Sequence, residues 1–308
     1  MSIGQTLAFP RGEPDGDVTG DIFQSGDPRA FYRVIFGLDY RLPDAAAALM
    51  RRIIRQRTNE LGRPLKILDI GCGYGTLPVL LRYPLDMNQL AHRYRDLDWV
   101  ELDSEQLIAL DRNYLAGWPE LIESRFVAFD VHNETTDYAK SAGLIDGAMV
   151  SDLAAGKLAD EDFALLSGVD MIVSLNCADF LDAGVFGQVI DAIGNPDLWC
   201  AVFALRVSPF YTLAMEAEAR KLRHEKLRST TFVQRRFASS TEWTQVLLAL
   251  ETQGLATVGK EAEGLLHAEF HMLRPEASVS KQPLSDMVSL SHSAGASFSG
   301  WRQRPWGV

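Results

Sequence analysis

The stretch Lys66-Ile67-Leu68-Asp69-Ile70-Gly71-Cys72-Gly73-Tyr74-Gly75-Thr76-Leu77 narrows what this chain can fold into more than any other. Ile67 to Ile70 are mostly apolar and suit a strand buried on both faces of a parallel sheet. Three glycines at alternate positions come next. Then Leu77, Val79, Leu80 and Leu81 make a run that suits a helix. Strand, glycine turn and helix form the first unit of a nucleotide-binding sheet. The glycines admit positive φ and let a ligand lie against the main chain. The helix start adds free N–H groups and a partial positive charge.

The spacing excludes two common versions of this unit. No Lys-Ser or Lys-Thr comes after the last glycine, as a Walker loop requires, and Thr76 stands where a dinucleotide fingerprint has its third glycine. What remains is Asp69-x-Gly71-x-Gly73-x-Gly75. This resembles motif I of the class I S-adenosylmethionine-dependent methyltransferases. The resemblance implies that the turn of Gly71, Cys72, Gly73 and Gly75 underlies the aminocarboxypropyl tail and ribose of S-adenosyl-L-methionine. It places Asp69 near the methionyl amino group. It implies an α/β fold, a Rossmann-like seven-stranded, mostly parallel sheet with the last strand antiparallel, preceded by an N-terminal helical lid.

Acids downstream extend the resemblance. Trp99 to Ser104 reads as the second strand, and the resemblance gives Asp103, with Ser104 after it, to the ribose hydroxyls. A carboxylate offers two acceptor oxygens to two neighbouring donors. Arg125 to Val131 reads as the third strand, with Asp130 and Val131 matching the adenine contacts. Either acid alone would also suit a helix cap. Val169 to Asn176 reads as the fourth strand, and in the family its end, here Asn176, faces the transferred methyl. Asn176-Cys177-Ala178-Asp179 lacks the prolines of enzymes that methylate exocyclic amines of DNA bases. Residues 134–168 read as an insertion, Leu198 to Val207 as the fifth strand, and Met215 to Leu227 as a charged amphipathic helix. Ala256–Glu261 and Leu266–Leu273 read as the closing pair of strands.

Composition narrows the acceptor. The net charge is −11, against the basic excess usual in proteins that track a phosphate backbone. One basic cluster, Arg220 to Arg228, reads as a solvated helix face, so nucleic acid is an unexpected partner. Arg206, expected at the sheet's carboxyl edge, suits either the carboxylate of a substrate in a bidentate fork or an ion pair with a local acid. The expected substrate is therefore a small polar metabolite, with or without a carboxylate, methylated on N, O or S; Tyr32 and Tyr40 of the N-terminal helices either line its pocket or pack on the sheet edge. Asp179 and His132 are the foremost candidate bases, and His224 is a third. No metal-ligand spacing appears. Three scattered cysteines and the lack of a signal-like start suit a cytoplasmic protein, and no apolar run is long enough for a membrane span. A monomer or homodimer is expected. The expected organisation is 1–61 tail and lid, 62–274 methyltransferase domain and 275–308 tail. The alternatives are an NAD-linked oxidoreductase, a methyltransferase acting on RNA or protein, and a non-catalytic scaffold.

Overall fold

The computed structural model describes residues 22–23, 25–95, 101–150, 158, 160–175, 177, 180–208, 210–228 and 230–288. Its strands are β1 (Leu65–Ile70), β2 (Ser124–Asp130), β3 (Gly147–Val150), β4 (Met171–Leu175), β5 (Trp199–Leu205), β6 (Leu222–Lys226), β7 (Phe232–Arg236) and β8 (Leu265–Pro275). They form one sheet in the order β3-β2-β1-β4-β5-β8-β6, with β7 also pairing β8. The first five strands are mutually parallel. β8 is antiparallel to its neighbours on both sides. β6 meets the C-terminal half of β8 (Leu222 opposite Pro275) and β7 its N-terminal half (Phe232 opposite Ala268). The two therefore lie end to end along one edge, as a single strand position interrupted at 227–231. The sheet has seven positions, and the last strand in sequence is the antiparallel one. This is the α/β, Rossmann-like architecture expected.

Burial explains the centre. All seven residues of β5 are buried, and β1 is buried except at Lys66. Such strands cannot face water, so helices cover both sides. The helices are α1 (Arg29–Gly37), α2 (Leu42–Leu61), α3 (Thr76–Arg82), α4 (Met87–Arg95), α5 (Ser104–Ala116), α6 (Asn133–Ser141), α7 (Asp160–Leu166), α8 (Ala183–Ile193), α9 (Tyr211–Ala219), α10 (Ser240–Thr252), α11 (Glu276–Lys281) and α12 (Leu284–Met287). One core joins α1–α6, α10 and α12 to the sheet face that carries Ile67, Phe126, Phe203 and Phe270. The other joins α8 and α9 to the face of Leu68, Phe129, Val202 and Leu273. Among the described residues, no helix is long and apolar enough to cross a membrane.

Four expectations for local structure are corrected. The strand beside β1 is β2, not a strand at 99–104, of which 99–100 lie outside the described residues. Leu102 and Asp103 are irregular and lead into α5, so α4 and α5 are helical additions within the β1–β2 crossover. The passage 134–168 contains β3 rather than only an insertion. The basic cluster is a strand, because α9 stops at Ala219, Lys221 turns the chain at φ 66°, and β6 starts at Leu222. Finally, 256–264 is a turn and a short 3-10 helix, so of the expected closing pair β8 alone is a strand.

Candidate active site

The glycine turn sits where the sequence places it, between β1 and α3. Gly71, Gly73 and Gly75 have φ of 76°, 52° and 77°, a conformation that side chains rarely tolerate. Gly71 N–H donates to Phe129 O at 2.8 Å, and Gly75 N–H closes the turn on Cys72 O at 3.0 Å. Gly75 also has a packing role, since a Cβ there would stand 3.0 Å from Leu144 Cβ.

Two carboxylates flank the turn. Asp130 ends β2, one strand from β1. Its Oδ2 accepts from Gly73 N–H at 2.8 Å, and its Oδ1 accepts from Val131 N–H at 2.7 Å and His132 N–H at 3.2 Å. Asp69, in β1, is 1% exposed, and its Oδ2 has no hydrogen-bond partner among the described residues. Burial, and then the nearby Asp130 charge, push its acid up to about 8, while a bond from the Cys72 thiol offsets this in part. Burial likewise raises the Cys72 thiol well above its ordinary value. Among the described residues neither acid is paired with a lysine or arginine. Two neighbouring acids of that kind at a glycine turn make a floor suited to a cationic ligand. Among the described residues no group of three His, Cys, Asp or Glu is placed to hold a metal ion.

The structure redistributes the expected site residues. Asp69, Gly71, Cys72, Gly73, Gly75, Asp130, Val131 and His132 come together. Asp130 stands at the end of the strand next to β1, the place expected of Asp103. Asp103 is instead the N-cap of α5, in a reciprocal box with Gln106 (Gln106 N–H to Asp103 Oδ1 2.8 Å; Asp103 N–H to Gln106 Oε1 3.1 Å). Ser104 Oγ lies 3.5 Å from Asp27 Oδ2. The pattern Asp-x-x-Gln was legible as a capping box, and the long preceding connection as an insertion. Asn176 and Asp179 lie outside the described residues.

The three expected substrate contacts are occupied elsewhere. Tyr32 is buried, stacked on Tyr94 at 4.6 Å and bonded through its hydroxyl to Thr76 Oγ1 at 3.1 Å. Tyr40 is buried beside the chain that pairs Arg41 with Gln234. Arg206 forms a buried ion pair with Glu261 and donates to Ala256 O at 3.0 Å. A guanidinium already neutralised by an acid is a poor grip for a second carboxylate. His224 bonds His271 through ring nitrogens at 3.0 Å, away from the turn on β6 and β8.

One participant carried no sequence signal, namely Phe23. Its ring lies 3.6 Å from where a Cβ of Gly73 would stand. It stacks on His132 (5.7 Å between centroids) and on Tyr74 (6.5 Å). The face of Gly71 is likewise covered, by Cys177 Sγ.

No protein-family model matches the sequence, and no curated protein matches it. Solved structures align over much of its length. One is a magnesium protoporphyrin IX methyltransferase from Synechocystis with bound S-adenosylmethionine, at 9% identity over 86% of this chain and 87% of that one, TM-score 0.37. Another is a TehB-like S-adenosylmethionine-dependent methyltransferase from Corynebacterium glutamicum, at 16% identity over 75% and 87%, TM-score 0.36. A third is a precorrin-6y C5,15-methyltransferase from Geobacter metallireducens, at 11% over 69% and 80%, TM-score 0.34. With TM-scores below 0.5, none of these bears on what the site does. The chain's own strand order, with one antiparallel strand between β5 and the β6–β7 edge, is what gives it a class I methyltransferase-like fold.

Proposed function

We propose that this protein is an S-adenosyl-L-methionine-dependent methyltransferase acting on a small molecule. The observation that carries this reading is the pair of buried acids, Asp69 and Asp130, at a positive-φ glycine turn. Such a floor favours a ligand that brings positive charge and hydroxyl donors. It disfavours a dinucleotide, whose pyrophosphate would cross the glycine turn beside Asp69. A dinucleotide-binding sheet also runs 3-2-1-4-5-6, without the antiparallel β8 found here between β5 and β6.

The residues fit the donor in named roles. Asp69 would take the ammonium end, and the main chain of Gly71 and Gly73 would bear on the donor. Asp130 would accept the ribose hydroxyls in place of its present main-chain donors, and Val131, 42% exposed, would pack on the base. When bound, the donor supplies an electrophilic methyl on a sulfonium. The chain's part is then orientation and exclusion of water from the line of attack. His132, beside Asp130 and under Phe23, is a wall of the donor site in this reading rather than the base. With Arg206 paired, a carboxylate on the acceptor loses its support; a small polar acceptor remains the reading that the acidic chain favours. Calorimetry with S-adenosylhomocysteine tests the donor site. Binding of the full chain in the micromolar range, lost in Asp130→Ala, is expected, whereas no binding at millimolar ligand removes the reading. Release of S-adenosylhomocysteine across a panel of small acceptors then identifies the substrate.

A further inference from the structure

We infer, resting on the donor site proposed above, that the free protein keeps Asp69 as a neutral acid and that the S-adenosyl ligand binds by exchange, its ammonium taking the place of the Asp69 proton. The O–H bond of the carboxyl breaks and the proton passes to solvent, so uptake of the ligand strengthens as pH rises. The hydrogen bonds are divided unequally between the two acids. Asp130 accepts from three main-chain N–H groups, those of Gly73 at 2.8 Å, Val131 at 2.7 Å and His132 at 3.2 Å. Both of its oxygens serve as acceptors, which favours the charged form there. Asp69 has the opposite setting. It is 1% exposed, and its Oδ2 meets no donor among the described residues. A bare carboxylate oxygen away from water costs more than a neutral acid.

The elements packed around Asp69 do not relieve it. On one side β2 brings Ala128 opposite Asp69 and, two residues farther on, the like charge of Asp130. On the other side β4 brings Val173 opposite Asp69 and Ser174 opposite Ile70. The Ser174 hydroxyl donates to Ile70 O at 2.8 Å and so is directed away from the acid. The turn brings the Cys72 thiol, which bonds Asp69 and is itself kept neutral by burial. His132 Nδ1, 3.4 Å from Asp130 Oδ1, faces the other acid. Two neighbouring carboxyls that lack a paired lysine or arginine hold one negative charge more readily than two. Burial, and then the Asp130 charge, accordingly raise the Asp69 acid from 3.8 to about 8, so its neutral form predominates about tenfold at pH 7. A ligand that binds only the ionised form has its affinity reduced by the fraction that is ionised.

Calorimetry of S-adenosylhomocysteine with the full chain, run at pH 7.5 in phosphate and in Tris, counts protons through the difference in buffer heats. Release of most of one proton per ligand is expected. Affinity should rise about fivefold from pH 7 to pH 8 and level off above. Asp69→Asn should bind more weakly, with neither the release nor the slope. Infrared difference spectra of the wild type locate the proton without any variant: the carbonyl band of a neutral carboxylic acid should disappear when the ligand is added. A proton lost from His132 or Cys72 would leave that band untouched. Binding without proton release, binding with the acid band unchanged, or release that persists in Asp69→Asn overturns the exchange and leaves the donor site standing. Absence of binding at millimolar ligand overturns both.

Discussion

Both halves of the sheet bury charge, but in opposite ways. At the β5–β8–β6/β7 end, each buried arginine has an acid. Arg206 is paired with Glu261, Arg235 with Glu242 at 2.6 Å, and Arg274 with Glu225 at 2.5 Å. At the β1–β2 end, Asp69 and Asp130 share one neighbourhood, with no lysine or arginine paired to either among the described residues. A paired buried charge is a structural element whose removal leaves its partner stranded. Asp130 is held by three main-chain N–H groups and lies 3.4 Å from His132 Nδ1, so the standing cost that folding alone does not explain falls on Asp69, whose Oδ2 has no partner among the described residues, and such groups gather at binding sites. The contrast separates the half that holds the protein together from the half that awaits something.

The largest effect expected is in the paired half. Arg235→Met should cost about 3–5 kcal/mol, because it strands Glu242 beside a fully buried site. Urea unfolding measures it, and a loss under about 1 kcal/mol would erase the difference between the halves. Next comes Gly75→Ala, expected to cost about 2 kcal/mol from positive φ and the close approach of Leu144. A neutral outcome would mean that the turn tolerates side chains and owes its glycines to something else.

In the unpaired half the expected sign reverses. Asp69 carries a folded-state value raised from 3.8 to about 8, so its contribution to stability is intact below about pH 4 and is lost as pH climbs toward 8. Asp69→Asn should therefore stabilise the ligand-free protein by about 1–2 kcal/mol at pH 7.5 while weakening S-adenosylhomocysteine binding at least about tenfold. Thermal melts and calorimetry read the two effects together, and a destabilised variant would show that the carboxylate is satisfied after all. The smallest effect concerns His271. Burial and the neighbouring His224 and Lys226 hold it down at about 3, so its contribution is present above pH 6.5 and lost below it. Wild type should lose about 1 kcal/mol between pH 7 and pH 5 from this cause, and His271→Phe should lose less, as chemical denaturation at the two pH values would show.

How far residues alone reveal the structure differs along the chain for a physical reason. The β1 turn is legible because strand, glycines and helix are consecutive, and their conformations are set by neighbours in sequence. β4 and β5 are legible because strands covered on both sides must be continuously apolar. Asp103 is misplaced by pattern because an acid before a helix looks the same whether a strand or an insertion precedes it. The cluster after α9 misleads because its alternation, with Leu222 inward and Arg223 outward, serves an edge strand, and charge density hides the period. Arg206 is a fork in search of an acid, and sequence cannot say that Glu261, 55 residues later, lies against it.

The sequence by itself determined the α/β class and the position and backbone shape of the glycine turn, since these come from local pattern and from the need to bury apolar strands. Only the tertiary structure decided which strand lies beside β1, and hence which acid faces the turn. It also decided which buried charges have partners, and that Phe23 lies on Gly73. Each of those depends on contacts between residues far apart in the chain, and no spacing encodes them.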